Sequence, residues 1–284
     1  MDASNRDEIV ESVRKIPFWW HSIELTEGVV TPGHKTTDVL ESELRSMRLP
    51  SLSGKTVLDI GAWDGFFSFE AEQRGAANVV ALDHYVWSMD VPAMISYWED
   101  CKRQGIVPEQ YDARPGMWQP AELPGKRGFD LARRVRGSNV RSVVADFTTM
   151  DLESLGQFDI SLYLGVLYHM HDPFRCLKRL AQVTKELAII ETAAIRIPGL
   201  EQFPLWEFYE GSELNGDVNN WWAPTEAGLL AMCRAAGFSK VEPLVPQPPF
   251  SRISSTLGGL FRPRGSEPDR KGIAVYRAIV HAWK

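Results

Sequence analysis

Cysteine is scarce in this chain of 284 residues: there are three, Cys101, Cys176 and Cys233. An odd number of widely spaced thiols suits neither a disulfide framework nor a zinc cluster. Together with the charged start from Met1 to Glu11, it points to the reducing cytoplasm. Basic excess is also lacking, since 31 Lys and Arg against 37 Asp and Glu leave a net charge of −6. No global positive field is available to hold a polyphosphate by counterion release, so nucleic acid is a disfavoured partner. No stretch approaches the ~20 uninterrupted apolar residues of a membrane span. Internal repeats are missing too, which removes solenoids and propellers. What remains is an ordinary globular composition, 44% apolar and 24% charged, with 18 Pro and 22 Gly. The length suits about two domains of ~150 residues, or one large α/β domain with insertions.

One segment organises the rest. Lys55 to Gly75 reads KTVLDIGAWDGFFSFEAEQRG. It is a β-branched apolar run, a glycine turn, then a helix with Phe66, Phe69 and Ala71 inward and Gly75 as its stop. A second buried strand, Val79 to Asp83, follows at once and makes the unit a right-handed β-α-β crossover. Further strands are predicted at Ser142 to Ala145, Asp159 to Leu164, Leu187 to Glu191, Lys240 to Val245 and Ile273 to Val280. Asp172-Pro173 opens a helix with apolar residues at spacings of three and four, and Thr225 to Ala236 forms another that Gly237 ends. Strands alternating with helices predict an α/β fold, a doubly wound sheet with helices on both faces. Three pieces fall outside that rhythm. Residues 1–50 form an N-terminal, partly helical segment, and residues 51–284 the main domain. Within the latter, 84–140 is an aromatic insertion carrying Trp87, Tyr97, Trp98, Tyr111 and Trp118 but no strand pattern. Residues 246–271 are a Pro/Ser/Gly/Arg loop, read as mobile.

The turn Asp59-Ile60-Gly61-Ala62-Trp63-Asp64-Gly65 fails two nucleotide-loop patterns. A dinucleotide fingerprint starting at Gly61 needs glycine where Trp63 and Phe66 stand, and a P-loop needs Gly-Lys where Phe66 and Phe67 stand. Asp59 at the strand end and Asp64 inside the turn would repel a phosphate. A cationic nucleoside without phosphate suits the turn, and S-adenosylmethionine is one. Asp59 then accepts from its ammonium, directly or through water, while Gly61 and Gly65 let the backbone approach without a Cβ clash. Asp83 ends the second strand, where such sheets place the acid that takes both ribose hydroxyls.

These residues resemble the motifs of class I S-adenosylmethionine-dependent methyltransferases. VLDIGAWDG stands for the glycine-rich first motif, ALD for the second, and VVADF, with Asp146 and Phe147, for the motif that holds adenine. The resemblance covers residues 55–195 and implies a mostly parallel, seven-stranded Rossmann-like methyltransferase sheet. It also places Ala62, Trp63, His84, Leu164, Gly165 and Tyr168 among the cofactor contacts. A narrower likeness runs through Trp20-His21-Ser22-Ile23, Thr31-Pro32-Gly33, Gly165-Val-Leu-Tyr168-His169-Met-His171-Asp172-Pro173 and Asn219-Asn220-Trp221-Trp222. It is to the branch related to tRNA wobble-uridine carboxymethyltransferases, whose signatures are shared by bacterial enzymes acting on small molecules and glycans. That branch's dedicated lysine and arginine set for an extra carboxylate and tRNA is not recovered here, which favours ordinary S-adenosylmethionine. The N-terminal segment of such relatives resembles a lid over the cofactor.

The expected chemistry is an in-line methyl displacement in which alignment and desolvation are the protein's task. A hydroxyl acceptor is helped by a general base, and histidine is the natural choice. His169 and His171 follow the fourth strand at its C-terminal end, and His21 sits in the N-terminal segment. Each has a plainer alternative: an orienting or cofactor-side contact for His169, a prelude to the helix for His171, a satisfied partner for His21. Trp20, Trp221 and Trp222 are candidates for an apolar or sugar-stacking acceptor pocket, with core packing as the alternative. No carboxylate cluster of magnesium spacing follows the fourth strand, so no metal is called for. The reading is therefore a methyltransferase acting on an oxygen, or less readily a nitrogen, of a small or medium-sized acceptor. The rivals are a tRNA wobble-uridine methyltransferase and a non-catalytic S-adenosylmethionine-binding protein. The oligomeric state stays open.

Overall fold

The computed structural model describes residues 3–110, 114, 116–248 and 273–284. Tyr111 and residues 249–271 of the loop read as mobile lie outside the described residues. The strands are β1 (Glu24–Thr26), β2 (Val29–Val30), β3 (Thr56–Ile60), β4 (Asn78–Asp83), β5 (Arg141–Val144), β6 (Phe158–Leu164), β7 (Thr184–Arg196), β8 (Trp206–Phe208), β9 (Trp222–Pro224), β10 (Lys240–Pro243) and β11 (Ala274–Trp283). The helices are α1 (Ala3–Arg14), α2 (Thr37–Met47), α3 (Phe66–Gln73), α4 (Tyr85–Ser88), α5 (Val91–Gln104), α6 (Arg127–Arg136), α7 (Leu152–Leu155), α8 (Pro173–Val183) and α9 (Glu226–Ala235).

Seven strands form the central sheet in the order β10-β11-β7-β6-β3-β4-β5. The β3, β4, β5, β6 and β7 pairings are parallel, and β11 runs antiparallel to both neighbours. The chain leaves β3 towards β4 and β5 and later returns to its other side as β6 and β7. The order therefore reverses beside β3, and open α/β sheets bind ligands at the carboxyl ends of the strands at such a point.

Both faces of the sheet are covered, which is why its central strands read as continuous apolar runs rather than alternating ones. Side chains still alternate between faces. Leu58, Ile60, Val80 and Leu82 pack with Leu177 and Leu180 of α8 and Leu229 and Cys233 of α9. Val57, Val79 and Ala81 pack with Phe69 of α3, Phe129 and Ala132 of α6 and Met47 of α2. By the same alternation Asp59 and Asp83 fall on the α3 face, at the strand ends. Helix starts follow their caps: Asp172 Oδ1 accepts from Arg175 N at 2.9 Å with Pro173 in the first turn, and Thr225 Oγ1 accepts from Gly228 N at 3.1 Å.

Several expectations shift in detail. The strand read as Leu187 to Glu191 is the 13-residue β7, because Ala193, Ala194 and Ile195 continue the buried run. β11 runs on to Trp283. Phe66 is half-buried, while Phe67, Phe69 and Ala71 of the same helix are buried. The stretch read as a strandless insertion supplies α6, the crossover helix between β4 and β5, with Phe129 fully buried. The N-terminal residues include the β1–β2 hairpin and α2, and Trp19, Ile23, Leu25 and Met47 belong to the α3-side core.

Candidate active site

The turn after β3 is shaped from within. Gly61 has φ +79°, and a Cβ there would meet Val166 Cγ2 at 2.5 Å; Gly65 has φ +89° and faces Phe69 and Phe129 ring carbons at 2.7 Å. Both positions therefore need glycine for their backbone angle and for protein side chains packed against them, whatever ligand approaches. Trp63 is itself left-handed, φ +48°. It is held by its N–H donating to Asp83 Oδ2 at 3.0 Å and its carbonyl accepting from Trp87 Nε1 at 2.6 Å. Ala62 is buried beneath it.

Three acids surround this turn, and they differ in what they hold. Asp59 is buried and accepts from Ser68 Oγ of α3 at 2.6 Å. Burial pushes its carboxyl up to about 6, against the Ser68 hydrogen bond and the nearby His21. Asp83 is buried as well, and Oδ1 takes a second amide, from Val86, at 3.1 Å. Burial again prevails over those bonds and pushes it up to about 6. Asp64 spends both oxygens on the N-terminal segment. Oδ2 accepts the Trp20 and His21 amides at 2.9 Å each, and Oδ1 pairs with His21 Nδ1. His21 is buried against Phe66 and Phe67, and Trp20 lies flat on Trp63, 4.7 Å between centroids and 4° between planes, and also stacks with His34.

Further along the same edge, Asp146 accepts from Thr148 N at 2.8 Å and from the Thr148 and Thr149 hydroxyls. These bonds, with nearby His84 assisting, outweigh partial burial and hold its carboxyl below the usual range. The Phe147 ring is buried against Tyr163, and its carbonyl accepts from Arg179 Nε at 2.6 Å. His84 stands edge-on to Trp118 of the insertion.

The second cluster lies where β6 ends. Leu164 pairs with Glu191 of β7, and Gly165 N donates to the Glu191 carbonyl at 3.0 Å. A 3-10 turn, Leu167–His169, follows. His169 Nδ1 lies 2.8 Å from the Asn219 carbonyl. A carbonyl only accepts, so Nδ1 carries the hydrogen and Nε2 keeps a lone pair. Burial is the largest influence and holds the imidazole below its ordinary value, opposed by Asp217 and the Asn219 bond and assisted by Arg277. Tyr168 packs on His169, ring centroids 4.2 Å apart, and its carbonyl accepts from Trp221 N at 2.8 Å. His171 is exposed and edge-on to Trp221. Trp221 and Trp222 are half-buried beside exposed Phe208, and the Trp222 Nε1 and Asn220 Oδ1 atoms are buried without a hydrogen-bond partner. Among the described residues, no group of three or more His, Cys, Asp or Glu side chains could hold a metal ion, and no helix is long and apolar enough to cross a membrane.

Comparison with known proteins bears on this geometry. A family model described as a methyltransferase domain matches residues 125–190, from α6 into β7. Over those residues the chain is similar to a methyltransferase domain. Its Rossmann-like methyltransferase fold is shared with the N-terminal domain of EvdMO1 with S-adenosylhomocysteine bound, TM-score 0.60 at 19% identity, covering 100% of this chain and 97% of that one. The same domain in the presence of S-adenosylhomocysteine and D-fucose gives TM-score 0.59 at 19% identity over 99% and 97% of the two chains. Against EvdMO1 itself the TM-score is 0.56 at 18% identity, covering 98% of this chain and 47% of that one, so this chain spans about half of its length. No curated protein sequence matches the chain.

Three residues of the domain's β6 cluster escaped the sequence reading. Arg277 of β11 pairs through Nε and Nη2 with Glu191 of β7 and stacks on Tyr168, 4.8 Å from the ring centroid. Its side chain keeps 43% of its surface accessible, so it lines the open edge of the site rather than the core. Asp217 is the third, in the loop before β9. Only the antiparallel register of β11 against β7 brings Arg277 beside the β6 exit, and a lone Arg in an alternating strand gives no signal of that.

Proposed function

We propose that this chain transfers the methyl group of S-adenosylmethionine to an oxygen of a small or medium-sized acceptor, with His169 as general base. The cofactor part of the reading is supported by the charge of the turn after β3. Asp59 and Asp83 are two buried carboxyls with raised pKa and hydrogen-bond donors but, among the described residues, no paired Lys or Arg, a setting that favours an ammonium, a sulfonium and ribose hydroxyls over phosphate. Asp59 would hold the ammonium, Asp83 the ribose hydroxyls, and Asp146 with the Phe147 amide the adenine edge. S-adenosylmethionine, when bound, supplies a methyl group already activated by the sulfonium charge.

The observation that carries the acceptor chemistry is the 2.8 Å contact of His169 Nδ1 with the Asn219 carbonyl, which assigns the hydrogen to Nδ1. With Nδ1–H given to Asn219, an uncharged imidazole at the C-terminal end of β6 presents Nε2 to take a proton from an acceptor hydroxyl. Trp221, Trp222 and Phe208 border that position and suit an apolar or sugar-like acceptor. Between the small-molecule and wobble-uridine readings, the net charge of −6 favours the small molecule.

The test is incubation with methyl-labelled S-adenosylmethionine and, in parallel, a metabolite extract and total tRNA. Label on an oxygen of a small molecule is the expected result. Label on tRNA, or cofactor binding with no S-adenosylhomocysteine formed from any pool, overturns it.

A further inference from the structure

Among the described residues, no side chain holds the His169 ring by a hydrogen bond. Its partner is the backbone carbonyl of Asn219, so whatever fixes the loop 217–220 fixes the imidazole. Asp217 does this with both ends of its residue. Its Oδ1 accepts from Asn219 N at 2.9 Å and from Asn219 Nδ2 at 3.3 Å, and its backbone carbonyl accepts from Asn220 N at 3.2 Å. The peptide that presents the Asn219 carbonyl to His169 is thus gripped through the Asn220 N–H on one side and through the Asn219 amide before it. Asn220 Nδ2 adds a bond to the Leu214 carbonyl at 2.7 Å, which closes the loop on itself.

The same carboxylate acts on the ring electrostatically, favouring its protonated form. The other charged or titratable groups around the turn are Tyr168 beside the ring, Arg277 of β11 across Tyr168, Glu191 of β7 paired with Arg277, and His171 with Asp172 leading into α8. Arg277 works against protonation. Among these, Asp217 alone both shapes the imidazole's hydrogen-bond acceptor and supplies a charge of the sign that an imidazolium needs.

We propose that Asp217 is the positioning residue of His169, orienting the ring through the Asn219 carbonyl and stabilising the imidazolium formed when Nε2 takes the acceptor's proton. This rests on His169 being the base. It is the logic of a base oriented by a third group, with a peptide carbonyl interposed between the acid and the ring. The proton moves from the acceptor hydroxyl to Nε2, the acceptor oxygen forms its bond to the methyl carbon, and the electron pair of the broken S–CH3 bond stays on sulfur.

Asp217→Asn separates the two contributions, since the amide oxygen still accepts from Asn219 N while the charge is gone. In the full chain with histidine labelled, the His169 ring signal, assigned by its loss in His169→Gln, is titrated by NMR with S-adenosylhomocysteine present. Turnover is read as labelled methyl entering the metabolite extract. The expected result for Asp217→Asn is a titration midpoint lowered by about half to one pH unit and turnover reduced about tenfold, with unchanged affinity for S-adenosylhomocysteine. Asp217→Ala loses the turn as well and falls further in turnover. A wild-type midpoint in Asp217→Asn, or a lowered midpoint with wild-type turnover, overturns the proposal. Full turnover in His169→Ala sinks the base assignment itself, a separate failure from either of these.

Discussion

The two regions of the candidate site are built differently. Around the turn after β3, the carboxylates of Asp59, Asp64 and Asp83 are buried and hydrogen-bonded, and Gly61, Trp63 and Gly65 are held in left-handed conformations by packed neighbours. Around β8 and β9, Phe208 is 51% exposed, Trp221 and Trp222 are half-buried, and Asn220 Oδ1 and Trp222 Nε1 are buried without partners. A preorganised end suits one unvarying ligand, because its ordering cost is met during folding. Fold and function part company at this boundary.

Each of the following outcomes tests that contrast. His169→Ala should lower turnover by ~10²- to 10⁴-fold with cofactor affinity intact, as measured by label transfer and calorimetry. Undiminished turnover removes the base. Asp64→Ala should destabilise the fold by about 2–4 kcal/mol, since two amides and the His21 ring lose a buried acceptor. Chemical denaturation measures this, and a change below about 0.5 kcal/mol would show the turn and the N-terminal segment to be independent.

Asp83→Ala should weaken S-adenosylhomocysteine binding by ~10- to 100-fold through lost ribose bonds, while the β8–β9 end keeps its near-UV circular dichroism. Acidity gives a smaller effect of defined sign. Burial pushes Asp59 and Asp83 up to about 6, and the proposed ammonium at Asp59 and ribose hydroxyls at Asp83 would favour their ionised forms. Affinity for S-adenosylmethionine should therefore be full above pH 7 and fall about tenfold by pH 5 for each carboxyl that must ionise. Without ligand, the same raised values relieve a destabilisation as pH drops from 7 towards 4, so the stability gap between liganded and free protein should narrow on acidification. Parallel curves contradict the assignment. Phe208→Ser should be mildest, raising KM for the acceptor by about threefold and leaving cofactor binding unchanged.

Much of the turn after β3 was legible in the chain because its signals are local. A β-branched run, a glycine turn and a helix within 21 residues declare the loop, and an acid at a strand end declares Asp83. The fate of Asp64 was not legible, because its partners Trp20 and His21 stand more than 40 positions away. The length of β7 was missed for a different reason. Its alanines carry little strand preference, and burial between β6 and β11 makes the segment a strand all the same.

Sequence alone determined the strand–helix alternation, the caps at Asp172 and Thr225, the acidic glycine turn, and a charge balance that disfavours polyanions. Those depend on neighbours a few residues apart or on composition. Tertiary structure alone decided that Asp64 anchors the N-terminal segment, that Arg277 and Glu191 meet at the end of β6, and that the Asn219 carbonyl sets the tautomer of His169. These are contacts between residues 43 to 86 positions apart. Strand register and the packing of distant chain segments create them, and no local periodicity encodes which distant side chains will face one another.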